Sequence, residues 1–167
     1  MKKLLKYTSL ALAICTALVC LVACGNKSKT FTCDAGLTIT LNDSFYEKNI
    51  VSQTFYLESS NVIFIALKED FTTLSNAGYN TDTLTKSEYL NIVKQNNSLT
   101  ADIIEDVEND LVYLKYYKNA SGKDFFYLAL AEKGSDAFWL CQFACEQKNE
   151  TEYTNQFIKW AKTIEVI

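Results

Sequence analysis

The densest group of side chains that could bind a metal ion is an acidic run in the second half of the chain. It consists of Glu105-Asp106-Val107-Glu108-Asn109-Asp110, and carboxylate oxygens are the ligands that Ca²⁺ prefers. The run lacks the central glycine and the closing glutamate of an EF-hand loop. If it lies in a strand, alternation sends Glu105 and Asp106 to opposite faces. Because charge runs usually mark exposed surface, the sequence predicts a solvated turn here.

Three cysteines could carry thiol chemistry within the domain: Cys33, Cys141 and Cys145. Cysteine catalysis needs a thiolate beside a base, and the chain contains no histidine. In a strand, Cys141 and Cys145 would lie on one face about 13 Å apart, which is too far for a disulfide. Cys33 could bond either of them, with Cys145 favoured because it lies at a strand end. Alternatively, all three are small core side chains.

The composition and the motifs of the chain argue against several further classes of catalytic and anion-binding site. Histidine is absent, and all 16 basic residues are lysine, so the commonest general base and the bidentate arginine clamp are both missing. No G-x-S-x-G motif of a serine nucleophile occurs. A glycosidase-type carboxylate pair stays open because its partners can be distant in the chain, but the short length and the lack of a carbohydrate motif speak against it. We therefore predict a protein that is not an enzyme, with no catalytic, cofactor-binding or metal-binding residue.

The N-terminal segment has the layout of a secretory signal. Lysines precede an apolar run over residues 10–22, which is short for a transmembrane helix. The run closes with Leu21-Val22-Ala23-Cys24, which resembles the bacterial lipobox. That resemblance implies a lipoprotein signal peptide over 1–23, a lipid on Cys24 and a domain on the extracytoplasmic face of the cell membrane. An uncleaved signal anchor is the alternative.

The rest of the chain has the size of one acidic domain. Residues 25–30 are polar and lack apolar periodicity, so we predict a flexible tether over 24–30 and one domain over 31–167. After residue 23 the chain carries 13 lysines and 20 acidic residues, a side-chain charge of −7. Such a surface disfavours nucleic acid and anionic membrane, and it tolerates cationic or neutral partners.

Apolar alternation and short polar turns predict mostly antiparallel strands. Two hairpins come first, then a short helix over 68–77 and a second helix that opens with a capping box from Thr85 to Glu88. A four-strand meander covers 102–145, and Asn149 is expected to cap a last helix that packs through Phe157 and Trp160. The runs 62–67 and 125–131 are apolar on both faces and need cover on both. We therefore predict an α+β fold, an antiparallel β-sheet covered by helices on both faces.

Aromatic side chains crowd the meander, and two interpretations stay open for them. They could form the core beneath the helices, which the two-faced alternation favours, or they could line a ligand groove. The residues concerned are Tyr113, Tyr116, Tyr117, Phe125, Phe126, Tyr127, Phe138, Trp139 and Phe143.

The domain also resembles a known group of proteins. Residues 35–43, 135–145 and 157–166 look like segments of small lipoproteins from low-GC Gram-positive bacteria, and the order of elements is similar to the PsbP-like fold, an α/β/α sandwich. Members of that fold mostly bind proteins or stabilise complexes. The resemblance therefore implies a non-enzymatic protein-binding or accessory module with an unknown protein partner at the cell envelope. The alternative is a lipoprotein that binds a small apolar or aromatic molecule.

Overall fold

The structure, a computed structural model, describes residues 27–167, and these form two antiparallel sheets and three α-helices. Cys24 and the predicted signal peptide lie outside the described residues. The strands are β1 Ser28–Cys33, β2 Leu37–Asn42, β3 Tyr46–Glu47, β4 Phe55–Glu58, β5 Val62–Asp70, β6 Ile103–Asp106, β7 Leu111–Ala120, β8 Lys123–Lys133, β9 Ala137–Glu146 and β10 Glu165–Val166. The helices are α1 Phe71–Asn76, α2 Lys86–Asn96 and α3 Glu150–Ala161.

The larger sheet has seven strands in the order β3-β4-β5-β9-β8-β7-β6. Its second half is the predicted meander, in which β6, β7, β8 and β9 pair in sequence through short turns. The β7–β8 hairpin turns at Ser121 and Gly122, with φ angles of 52° and 79°, the positive values that a tight two-residue hairpin requires. The strand β5 then closes against β9 along its full length.

One face of this sheet is covered by α3 together with a second, three-stranded sheet in the order β1-β2-β10. Apolar side chains from both sheets and from α3 form one continuous core, in which Trp139, Phe143 and Phe157 are fully buried. The side chain of Thr163 connects the end of α3 to β2 of the second sheet. Its Oγ1 accepts from the Thr40 backbone N–H at 3.0 Å and donates to the Thr40 carbonyl at 3.1 Å.

The opposite face of the large sheet is covered by α1 and α2, and only over part of its area. A second core forms there around Tyr89 and Leu90 of α2 and Phe138 of β9. The predicted capping box of α2 is confirmed, since Thr85 Oγ1 accepts from the Glu88 backbone N–H at 3.2 Å and Glu88 Oε2 accepts from the Thr85 N–H at 2.9 Å.

Several predicted boundaries were wrong. Residues 68–70 continue β5 rather than beginning a helix, because they pair with Trp139, Phe138 and Ala137 of β9. Residues 28–30, predicted as tether, form the start of β1 by pairing with β2. Asn149 makes no side-chain capping bond, because a 3-10 turn over Gln147–Asn149 runs directly into α3.

The predicted cover of helices on both faces is not confirmed in that form. The antiparallel α+β arrangement is correct, but strands β1, β2 and β10 share the cover of one face with α3. Alternation in a strand shows that a face is apolar, and it does not show whether a helix or another sheet lies against it.

Of the two interpretations left open for the cysteines, the core one is correct: no disulfide joins Cys33 to Cys145 or Cys141, and all three thiols are free and buried. The Cys33 Sγ points to the Thr54 carbonyl oxygen at 3.6 Å, because β1 lies in the second sheet. Cys141 and Cys145 face the same core from β9. Burial raises the pKa of the Cys145 thiol to about 11 and that of Cys141 further. Cys141 and Cys145 are therefore core side chains with little thiolate character.

Candidate functional site

The part of the large sheet that α1 and α2 leave uncovered is an apolar and aromatic surface, which we call the open face. Register places its members side by side across β4, β5, β9, β8 and β7. Most of them are half-buried and Ala144 is buried, and apart from Tyr116, which packs against the second core, the apolar ones belong to neither core cluster. The open face consists of Tyr56, Ile63, Ile65, Tyr116, Phe125, Tyr127, Gln142 and Ala144.

Tyrosines on β7 and β8, at one side of the open face, are fixed by stacking and hydrogen bonding. The rings of Tyr116 and Tyr127 stack with centroids 4.8 Å apart and 8° between their planes, and the Tyr116 hydroxyl donates to Gln142 Oε1 at 2.7 Å. Burial raises the pKa of both tyrosines above the usual value. This side of the open face is therefore preorganised, and its tyrosines are uncharged.

A polar network borders the open face at the β3–β4 edge. The Glu58 carboxylate accepts hydrogen bonds from Tyr46 and, at 3.1 Å, from Tyr56, and it forms an ion pair with Lys48. The hydrogen bond from Lys48, followed by that from Tyr46, lowers the pKa of Glu58. Lys123 and Lys148 similarly pair with Glu146 at the strand ends. An apolar centre with a charged rim is the usual anatomy of a protein interface.

A cleft of about 250 Å³ lies where the cover of α2 ends and the open face begins. Val93 and Asn97 at the end of α2 form one side, and Ala129 and Leu140 of the sheet form the other. Tyr116 and Gln142 belong both to this cleft and to the open face. The cleft is smaller than the roughly 300–1,000 Å³ of a site for a drug-sized ligand.

The aromatic residues that the sequence singled out divide between core and surface. Tyr113, Phe126, Phe138, Trp139 and Phe143 are buried, as the core interpretation predicted. Tyr116, Phe125 and Tyr127 instead lie on the open face. Tyr117 is 54% exposed on the other side of the sheet, where its hydroxyl lies 3.0 Å from Glu150 Oε1. Sequence alternation marked these strands as two-faced, but it could not show where the helical cover stops.

The acidic run forms the end of β6 and the turn into β7. Asp106 accepts hydrogen bonds from the Asn109 backbone N–H at 3.1 Å and from its side-chain amide at 2.9 Å, so it stabilises the turn. Within residues 27–167 no group of three or more His, Cys, Asp or Glu side chains is arranged to hold a metal ion. In the same range, no helix is long and apolar enough to span a bilayer.

Comparisons with known proteins find structures with a similar fold, and they find no family to which the chain belongs. No family model matches the chain, and no curated protein matches it. The structure is similar to a Bacteroides thetaiotaomicron VPI-5482 protein, with a TM-score of 0.53 and 14% identity over 83% of this chain and 48% of that one. The chain thus spans about half the length of that protein. It is also similar to cyanobacterial PsbP (CyanoP) from Synechocystis sp. PCC 6803, with a TM-score of 0.49 and 9% identity over 87% of this chain and 96% of CyanoP.

Proposed function

We propose that this chain is a membrane-anchored extracytoplasmic lipoprotein that acts as a non-enzymatic protein-binding or accessory module. The observation that carries the proposal is the open face, a preorganised aromatic and aliphatic surface on an otherwise filled fold. Apolar patches of this kind on soluble domains commonly mark interaction sites. A protein partner fits better than a small molecule because the surface spans five strands and is open rather than enclosed.

The lipid anchor is supported by the sequence that ends in Cys24. Two acyl chains, each contributing about 0.8 kcal/mol per buried CH₂, hold a protein stably on a bilayer. The order of elements also favours a PsbP-like domain, and the resemblance of residues 35–43, 135–145 and 157–166 to small lipoproteins favours an origin in a Gram-positive bacterium. Members of that fold mostly act by contact with other proteins.

The short tether favours a partner that lies close to the membrane. Cys24 is four residues from the start of β1 at Ser28, a span of at most about 14 Å. The tether therefore holds the domain, and any partner bound to it, close to the bilayer surface.

Replacing Cys24 by Ala tests the anchor. We expect the wild-type protein to carry a thioether-linked diacylglycerol and to partition into the detergent phase. The Cys24→Ala variant should lack the lipid and should no longer partition there, because the apolar anchor is gone. Intact-mass measurement of the purified protein checks this result, and a wild-type protein without added lipid would contradict the anchor.

Placing a charge on the open face should abolish partner binding. Ile65 is half-buried at its centre, so Ile65→Lys adds an ammonium group to the apolar contact and should reduce recovery of the partner from native membranes at least tenfold. Val51→Lys is the matched control, because Val51 is fully exposed on the loop between β3 and β4. Quantitative mass spectrometry of the co-purified proteins measures the effect. Equal recovery with both variants would show that the open face is not the binding surface.

A further inference from the structure

The cleft between the end of α2 and the sheet has a lining suited to a small flat molecule. Val93 and Leu99 from the end of α2 and the segment after it, and Ala129 and Leu140 from the sheet, supply the apolar part of its lining. Val93, Ala129 and Leu140 are already largely buried, so a bound ring would cover the apolar surface that remains. Opposed walls of a helix and a sheet leave a slot rather than a round cavity. The volume of about 250 Å³ limits the occupant to a size below that of typical drug-like ligands.

One wall of the cleft supplies fixed polar groups. Tyr116 donates its hydroxyl hydrogen to Gln142 Oε1 at 2.7 Å, and Tyr127 stacks on the Tyr116 ring. Tyr116 and Gln142 therefore hold their positions without a ligand. Their hydroxyl oxygen and side-chain amide can orient a bound polar group at little entropic cost.

The charge of the cleft is opposite to that of the domain as a whole. Lys118 is the charged residue in the lining, and among the described residues that line the cleft there is no carboxylate. Lys118 also forms none of the ion pairs found within residues 27–167. The chain beyond residue 23 carries 20 acidic residues against 13 lysines. Lys118 thus places a positive charge without an ion-pair partner in the described part of the chain beside the apolar lining of the cleft. Such a charge is complementary to a small anion.

We propose that this cleft binds small aromatic carboxylates, with the ring against the apolar lining that includes Val93 and Leu140 and the carboxylate directed to Lys118. This ligand site goes beyond the protein-binding function proposed above and does not depend on it. Because Tyr116 and Gln142 also belong to the open face, an occupant of the cleft adjoins the surface at which a partner would bind.

The probe for this site is indole-3-acetate, with indole-3-acetamide as its neutral counterpart of nearly the same shape. Titration of the ¹⁵N-labelled wild-type protein should give saturable shifts at the amides of Val93, Ala129 and Leu140, with a Kd below about 1 mM. The amide should bind about threefold more weakly, which is the range expected for loss of one exposed ion pair.

Two variants separate the roles of the slot and the charge. Ala129→Leu fills the slot and should weaken binding of indole-3-acetate at least tenfold. Lys118→Gln changes an exposed side chain and should weaken binding of the acid about threefold while leaving the acetamide unaffected. Lys159→Gln makes the same charge change on an exposed position of α3 and should alter neither titration.

Three results would overturn the proposal. The first is the absence of saturable shifts in the wild-type protein at 10 mM indole-3-acetate. The second is equal affinity of the acid and the acetamide. The third is equal effects of Lys118→Gln and Lys159→Gln. Because Lys118 is exposed, the last comparison holds even if Ala129→Leu fails to fold.

Discussion

Trp160→Ala should lower the free energy of unfolding by about 3–5 kcal/mol, the cost of truncating a large aromatic in a packed core. Trp160 is 7% exposed and lies between the two sheets. Its ring centroid is 5.4 Å from that of Phe45 and 6.1 Å from that of Phe143. The change therefore leaves a cavity that the neighbouring rings of Phe45, in the β2–β3 loop, and Phe143 of β9 would have to fill. Urea unfolding of the purified protein measures the loss.

Trp160→Phe is the matched control, because it keeps an aromatic ring and removes less volume. We expect it to cost less than half as much as Trp160→Ala. A cost below about 1 kcal/mol for the alanine variant would show that α3 is not packed against the sheets through Trp160.

Tyr89→Ala should cost a similar amount, about 3–5 kcal/mol, through the second core. Tyr89 is fully buried in α2, and its ring stacks on Phe138 with centroids 4.6 Å apart and 12° between the planes. Its hydroxyl donates to the Glu69 carboxylate. Truncation thus removes a large aromatic contact between α2 and the sheet and also leaves Glu69 without that donor. Calorimetric or urea unfolding checks the value.

Tyr89→Phe separates the ring from the hydroxyl. It keeps the stack on Phe138 and loses only the hydrogen bond to Glu69, so we expect a cost of about 1–3 kcal/mol. If the alanine variant lost no more than the phenylalanine variant, the ring would contribute nothing to stability, contrary to the packing described.

Local patterns in the sequence specify much of the fold. The meander β6–β9 follows from short polar turns between apolar runs, and the capping box at Thr85 marks the start of α2. Trp160 lies in the core as the helical spacing of Phe157, Trp160 and Ala161 predicts. In each case the signal is carried by residues close together in the chain, so it does not depend on the rest of the fold.

Features that depend on distant segments were missed. The strand β3 has only two residues, and the pairing of β10 with the remote β2 was not predicted. The sequence left a disulfide and burial in the core both open for the cysteines, because strand assignment did not reveal that β1 joins a second sheet. The open face was hidden as well: β5 and β8 are apolar on both sides, but the length of α1 and α2 decides how much of that surface is covered.

The most direct test of the central claim places a photoreactive benzoylphenylalanine at position 65 of the full chain in living cells. Because Ile65 lies at the centre of the open face, irradiation should give a discrete adduct with another membrane-associated protein. The same residue placed at position 51, on the exposed loop, should give none. No adduct from position 65, or the same adducts from both positions, would contradict the account.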